Sequence, residues 1–336
     1  MTESRTRPWP AGAVTGIGSL PGTDPEQAAR LVLGELPDLP HLAELPGRGA
    51  GAEVIGRTAA MLVDLPVEIA PSAWRIASHD GRDVRRARDF LARDLDALEA
   101  QTDGYSGALK IQIAGPWTLA ASIELPTGHR ILTDHGAVRD LSASLAEALR
   151  LHLADVARRV PGARLVVQVD EPSLPAVLAG SVPTPSGYGT VRAVEAVRAE
   201  QALRDLLLVA PEGGRVMHCC APGVPLGLMR SAGADALAID AALLESGDLD
   251  ALGEAVDAGT SLWLGVVAST DSAVTLDAAR ERLTRLWGTL GFPMGLLAGA
   301  VVPTPSCGLA NATPEYARRV LAVLRDVGRS LLDDSA

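Results

Sequence analysis

Eight short apolar runs, rich in β-branched residues, alternate along this chain with longer segments whose apolar residues recur every three or four positions. No other feature restricts the fold as much. The runs are residues 13–17, 67–71, 108–114, 164–169, 215–219, 236–239, 261–267 and 297–302. Their near-continuous apolar character is that of parallel strands covered on both faces. The segments between them read as helices. Residues 139–160 place Leu141, Leu145, Leu149, Leu153 and Val156 on one face. Residues 314–332 do the same with Tyr316, Val320, Leu324, Val327 and Leu331, after a Thr313 that suits an N-cap and a Pro314 that suits N1. Thr23, Asp24, Pro25 and Glu26 mark another helix start. Eight strand–helix alternations in 336 residues predict an α/β fold, a single-domain (β/α)8 TIM barrel over 1–336 with 1–12 as a flexible N-terminus. An open doubly wound sheet shares the local signals, but one count of eight over the whole chain favours the barrel.

Charge narrows the partners. Thirty basic residues stand against 41 acidic ones, a formal net charge of −11, and Lys110 is the only lysine. That leaves no basic stripe for nucleic acid or an anionic membrane. Apolar stretches are too short to span a bilayer, and MTESRTRPWPAG has no apolar core of a secretion signal. Three cysteines are too few, and odd in number, for a disulfide framework, so a reducing cytoplasm is expected.

A barrel carries its chemistry at the C-terminal ends of its strands. The first end, TGIGSLPGTDP, misses the dinucleotide fingerprint because Gly16, Gly18 and Gly22 have the wrong spacing. It serves either a tight turn or close approach of backbone and the Ser19 hydroxyl to a small polar ligand. The third end, QIAGPWTLA, reads as a turn with a hydroxyl at Thr118. The fourth, LVVQVDEPSLP, sets Asp170 beside Glu171; adjacent carboxylates at a buried strand end are costly unless used, and they point to opposite faces. In the fifth, RVMHCCAPG, His218 and Cys220 share a face while Cys219 turns away into packing. The sixth end adds Asp240, and the last, VVPTPSCGLANATP, adds Cys307. Imidazole, thiolate and carboxylate converging on one rim, with a position left open, describe a catalytic zinc site. A cysteine nucleophile with His218 as base is the competing reading, but it lacks an orienting partner for the base. His41, His79, His129 and His135 fall in loop-like segments and His152 on a helix, as solvated or capping residues.

Together, TGIGSLPGT, GPWT, QVDEP, HCC and PSCGL, in that order on successive strand ends, resemble the C-terminal catalytic half of cobalamin-independent methionine synthase. That half belongs to the wider barrel superfamily of uroporphyrinogen decarboxylase and epoxyalkane:coenzyme M transferase. The resemblance implies that Ile17, Gly18 and Ser19 bind homocysteine and that Asp170, the catalytic-site aspartate, holds its amino group. It implies His218, Cys220 and Cys307 as zinc ligands, with Asp240 where the family has a glutamate ligand. Two departures stand out. The family's catalytic histidine after strand seven has no counterpart in LGVVASTDS, where Ser269, Thr270 and Asp271 stand. Its second homocysteine-binding glutamate has no clear match in PGRGAGAEVIG, leaving Glu53 as the substitute. The implied activity is zinc-dependent methylation of homocysteine, or another thiol, from a methylfolate or a methylated corrinoid protein. A barrel that binds metal or amino acid without catalysis is the remaining alternative.

Overall fold

The computed structural model describes residues 7–333. Two short strands, β1 (Val67–Ile69) and β2 (Trp74–Ile76), pair antiparallel. Six more form one parallel sheet in chain order: β3 (Ala108–Ala114), β4 (Arg164–Asp170), β5 (Arg215–Cys219), β6 (Ala236–Asp240), β7 (Ser261–Val267) and β8 (Val301–Pro305). Helices cover the outer side. The helix expected over 139–160 runs His135–Arg159, opened by Asp134, whose carboxylate accepts the Gly136 and Ala137 N–H groups. Its Leu141, Leu145, Leu149 and Val156 are fully buried. Asp24 opens Pro25–Glu35 in the same way, and the Thr313 hydroxyl accepts the Tyr316 N–H at the start of Pro314–Asp333. Among the described residues no helix is long and apolar enough to cross a membrane.

Three of the eight runs depart from expectation. The run 67–71 is not a stave of the parallel sheet: it supplies β1 of the small hairpin. The run 297–302 is split, with Leu297–Ala300 helical and β8 beginning at Val301. The run 13–17 forms no regular ladder. Instead, two irregular segments bridge the gap between β8 and β3. In the first, Thr15 donates to the Pro303 carbonyl at 3.3 Å. The first and second exchange bonds from Leu20 to Glu44 and from Glu44 to Gly18, at 2.9 and 3.1 Å. In the second, Leu42 donates to Lys110 and Lys110 to Pro40, both at 2.9 Å. Residues 40–44 thus take the place beside β3 that the run 67–71 was expected to fill.

Alternate strand residues face the inside of the curled sheet. At its N-terminal end they form an apolar plug of Ala108, Val166, Val216, Ala236, Ala238, Trp263 and Val302, joined by Leu39 and Ala13. Trp9 closes the plug, its ring 5.2 Å from Trp263 and nearly perpendicular to it. Above the plug the inward positions turn polar: Lys110, Gln112, Gln168, Asp170, His218 and Thr304 are all buried. The outward positions of the same strands, such as Ile111, Val169 and Cys219, join the large core beneath the helices.

Candidate active site

The period of a strand decides which cysteine is used. His218 and Cys220 face inward, whereas Cys219 is buried in the outer core, where desolvation pushes its thiol up to about 12. Cys307 follows β8 and meets Cys220 with the two sulfurs 2.8 Å apart, both cysteines being free. One ligand atom from each of His218, Cys220 and Cys307 lies within 4.8 Å of the others. The Cys220 thiol, hydrogen-bonded to Cys307, moves up, and the same bond, helped by His218 against burial, brings Cys307 down to about 4. Of the two sulfurs, Cys307 is thus the one favoured as thiolate.

His218 is oriented from behind. Its Nδ1 lies 2.7 Å from Asp170 Oδ1. Burial opposes its charged form, but that bond and the neighbouring Cys307 outweigh it and raise the imidazole to about 9. Its Nε2 is buried without a hydrogen-bond partner. A carboxylate on one ring nitrogen and an unsatisfied second nitrogen beside two sulfurs is the arrangement of a soft divalent metal site. The donor set fits zinc.

The two carboxylates of QVDEP part company, as their opposite faces require. Asp170 Oδ1 also accepts from Gln168 Nε2 at 2.7 Å. Glu171 is fully buried on the other side and accepts from the Trp117 N–H, the Thr118 N–H and the Thr118 hydroxyl at 2.7–2.9 Å. It thereby pins the N-terminus of the helix Pro116–Ser122 to β4. Burial still raises its pKa to about 7, against these donors. The GPWT motif is thus a structural clamp for Glu171.

The structure brings Ile17, Gly18 and Ser19 to the same interior. The Ile17 carbonyl accepts from Lys110 Nζ and Gln168 Nε2, and Gly18 packs against the Gln112 side chain. Leu309 donates to the Ser19 carbonyl at 2.8 Å, and a Cβ at Gly308 would overlap the Ser19 hydroxyl. Only glycine lets the Cys307 loop lie so close to this segment.

Glu53 lies apart. Its carboxylate caps the helix Val54–Ala59 through the Gly56 N–H and accepts from Trp74 Nε1, all at 2.9 Å. The buried carboxylate at the site is Glu44, which sequence reasoning missed. It accepts from Gln112 Nε2 at 3.1 Å and lies 4.0 Å from the Arg57 guanidinium. Arg57 is in turn paired with Asp94, which also takes a bidentate contact from Arg48. Burial raises Glu44 to about 7; Arg57 opposes this and Asp170 adds to it. His41 is likewise fully buried rather than solvated, with both ring nitrogens unpartnered, and burial and then Lys110 hold its pKa well below the ordinary value.

Asp240 is half-buried and accepts from the Ala242 N–H at 2.9 Å, outside the His218, Cys220 and Cys307 group. After β7, Asp271 accepts from the Thr313 N–H at 2.8 Å and from its hydroxyl. It serves the start of the last helix. Ser269 donates its N–H to Ser306.

With this geometry in place, comparison decides the family. The model of the cobalamin-independent synthase catalytic domain matches residues 12–330. The chain belongs to that family. Among curated proteins none matches it. Of solved structures, the B12-independent methionine synthase from Shewanella sp. W3-18-1, in complex with selenomethionine, is similar at a TM-score of 0.62 and 12% identity. The match covers 97% of this chain and 99% of that one, and it shows a shared fold. A GH5_18 protein from Streptomyces cattleya, in complex with GlcNAc, is similar at a TM-score of 0.47 and 15% identity, over 96% of this chain and 80% of that one.

Proposed function

We propose that this chain is a zinc-dependent S-methyltransferase that methylates homocysteine, or a closely related thiol amino acid, to the thioether. Its matched span acts as one barrel unit, in which the segments at 13–19 and 40–44 serve as irregular first and second staves. The observation that carries the reading is the convergence of His218, Cys220 and Cys307 beside Asp170 and the Ile17 segment. His218 through Nε2 and the two cysteine sulfurs would hold zinc, and Asp240 is not needed in that set. Bound there, zinc supplies the Lewis acidity that makes a substrate thiol, free pKa about 8.5, available as a thiolate at neutral pH.

The protein's own residues do the rest. Asp170 and Glu44 are both buried, and Asp170 adds to the upward push on Glu44, so an ammonium group beside both carboxylates is favoured. Backbone at Gly18 and Ser19 receives the amino acid's carboxylate end. With that end fixed by this chain's own residues, the substrate sulfur would be held toward His218, Cys220 and Cys307 and would displace the methyl group from its donor, the carbon–donor bond breaking as the carbon–sulfur bond forms, a displacement made efficient by positioning. The donor is a methylfolate or a methylated corrinoid protein. The corrinoid reading draws on Ser269, Thr270 and Asp271, which place no histidine after β7 to protonate a departing folate nitrogen. Three free thiols suit the reducing cytoplasm.

The test is metal analysis joined to methyl transfer. Purified protein is expected to hold one zinc per chain, and His218→Ala and Cys307→Ser to lose it together with activity. Methyltetrahydrofolate, with and without a glutamate tail, run against methylcobalamin identifies the donor. Protein without zinc, or variants that keep it, would sink the assignment; homocysteine binding without turnover on any donor would leave a binding barrel.

A further inference from the structure

Lys110 is the only lysine of the chain and is fully buried, in the middle of β3. An ammonium there is costly unless hydrogen bonds and counter-charges offset its lost hydration, and an apolar side chain would simply have extended the plug below. The bonds it makes are specific. Its Nζ donates to the Ile17 carbonyl and to Gln168 Oε1, each at 2.7 Å. Gln168 Nε2 donates to the same carbonyl at 2.8 Å and to Asp170 Oδ1 at 2.7 Å. Burial lowers Lys110 to about 7, while Asp170 and Glu44 draw it back up. The lysine thus ties the Ile17 segment to Gln168 and, through it, to Asp170.

Its bond to Ile17 also fixes a direction. A peptide unit is planar and trans, so a carbonyl drawn down onto Lys110 and Gln168 turns the following N–H, that of Gly18, away from them. In a regular strand the ladder sets such directions. The segment at 13–17 has no regular ladder, which leaves the task to Lys110 and Gln168.

We propose that Lys110 is a positioning residue: with Gln168 it locks the Ile17 peptide and aims the Gly18 and Ser19 backbone, and the Asp170 carboxylate, at the amino-acid end of the substrate. The identity of that substrate rests on the reading above; the locking of the segment does not. Lys110 touches neither sulfur nor reacting carbon, so its loss weakens recognition of the amino-acid end and leaves the metal in place.

Lys110→Met, close in length and without the donor, tests this in the zinc-loaded protein. Amide hydrogen exchange over residues 17–20 is expected to quicken about tenfold, and the calorimetric Kd for homocysteine to rise about tenfold, as for a lost bond from a charged donor. Zinc content and the Kd for propanethiol, which has the sulfur but no amino-acid end, stay unchanged. Unchanged exchange overturns the proposal, as does equal weakening of both thiols, the mark of a general structural defect. Faster exchange with unaltered homocysteine affinity overturns it as well. Wild-type protein that ignores homocysteine defeats the substrate assignment, while the exchange result still decides whether Lys110 locks the segment. Should Lys110→Met fail to fold, Lys110→Gln, uncharged but still a donor, gives the same readouts at a smaller size.

Discussion

The inside of the curled sheet has two halves built on opposite principles. The lower half, from Trp9 and Ala108 to Trp263 and Val302, contains only apolar side chains. The upper half, two to four residues further along the same strands, is a chain of polar bonds from Lys110 through Gln168 and Asp170 to His218. The lower half contributes by area and shape, which many apolar side chains supply. The upper half contributes by specific bonds among groups that are each expensive to bury. A substitution in the first is expected to alter stability with little effect on chemistry, and one in the second to do the reverse.

The largest effect that separates them is expected at Asp170. Asp170→Asn keeps the shape but removes the charge behind His218 and beside the substrate's ammonium. Methyl transfer is expected to fall about 10²–10³-fold and zinc affinity about 10–100-fold. The urea midpoint should barely move. Trp263→Ala is the mirror image: loss of a fully buried indole and of its contact with Trp9 costs about 3–5 kcal/mol of stability. Zinc content and the KM for homocysteine are expected to hold at temperatures where the variant stays folded. If Trp263→Ala instead strips the metal, the halves are mechanically one and the division drawn above is wrong. A third variant, Glu44→Gln, is expected to raise the KM for homocysteine about tenfold with kcat nearly kept, because it weakens ground-state and transition-state binding alike.

The two halves also differ in how readable they are. The plug and the outer core announce themselves as apolar runs, so the strands near 108, 164, 215, 236 and 261 are located within a residue of their observed bounds. The His218, Cys220 and Cys307 group is legible for a related reason: the period of two is strict, and thiol and imidazole are rare enough to stand out. The segment at 40–44 is not legible. It carries His41 and Glu44 into the interior between prolines at 40 and 46, and a rule that looks for apolar runs passes over a segment whose inner face is polar because it borders the site. The run at 67–71, which forms the hairpin strand β1, stands in its place in the count of eight. Pattern reading fails where function has replaced hydrophobic side chains with costly polar ones. The same blindness covers Lys110, which with Gln112 interrupts the apolar run of β3.

The smallest expected effect concerns acid. The apolar plug of Trp9, Ala13, Ala108, Val166, Trp263 and their neighbours holds no titratable side chain among the described residues, so sensitivity to mild acid inside the sheet is expected in the upper half. His41 is fully buried, and burial first, with Lys110 second, holds its folded pKa well below the ordinary 6.5. The unfolded chain therefore takes up this proton before the folded one does, and the slope of stability with pH is positive below 6.5. Stability from a neutral His41 is present above that pH and is lost progressively as pH falls below it. Urea titrations of the metal-free protein at pH 7 and pH 5 measure the loss. His41→Gln, of similar bulk and without a titration in this range, is expected to reduce it, while Trp263→Phe keeps it at the wild-type size. Metal-free protein keeps loss of a bound metal from answering for the change, and His218, raised to about 9, works the other way, since only the unfolded histidine gains its proton between pH 7 and pH 5. An acid response that survives His41→Gln but shrinks in Trp263→Phe would place the sensitivity in the packing of the plug and reverse the assignment of roles between the halves.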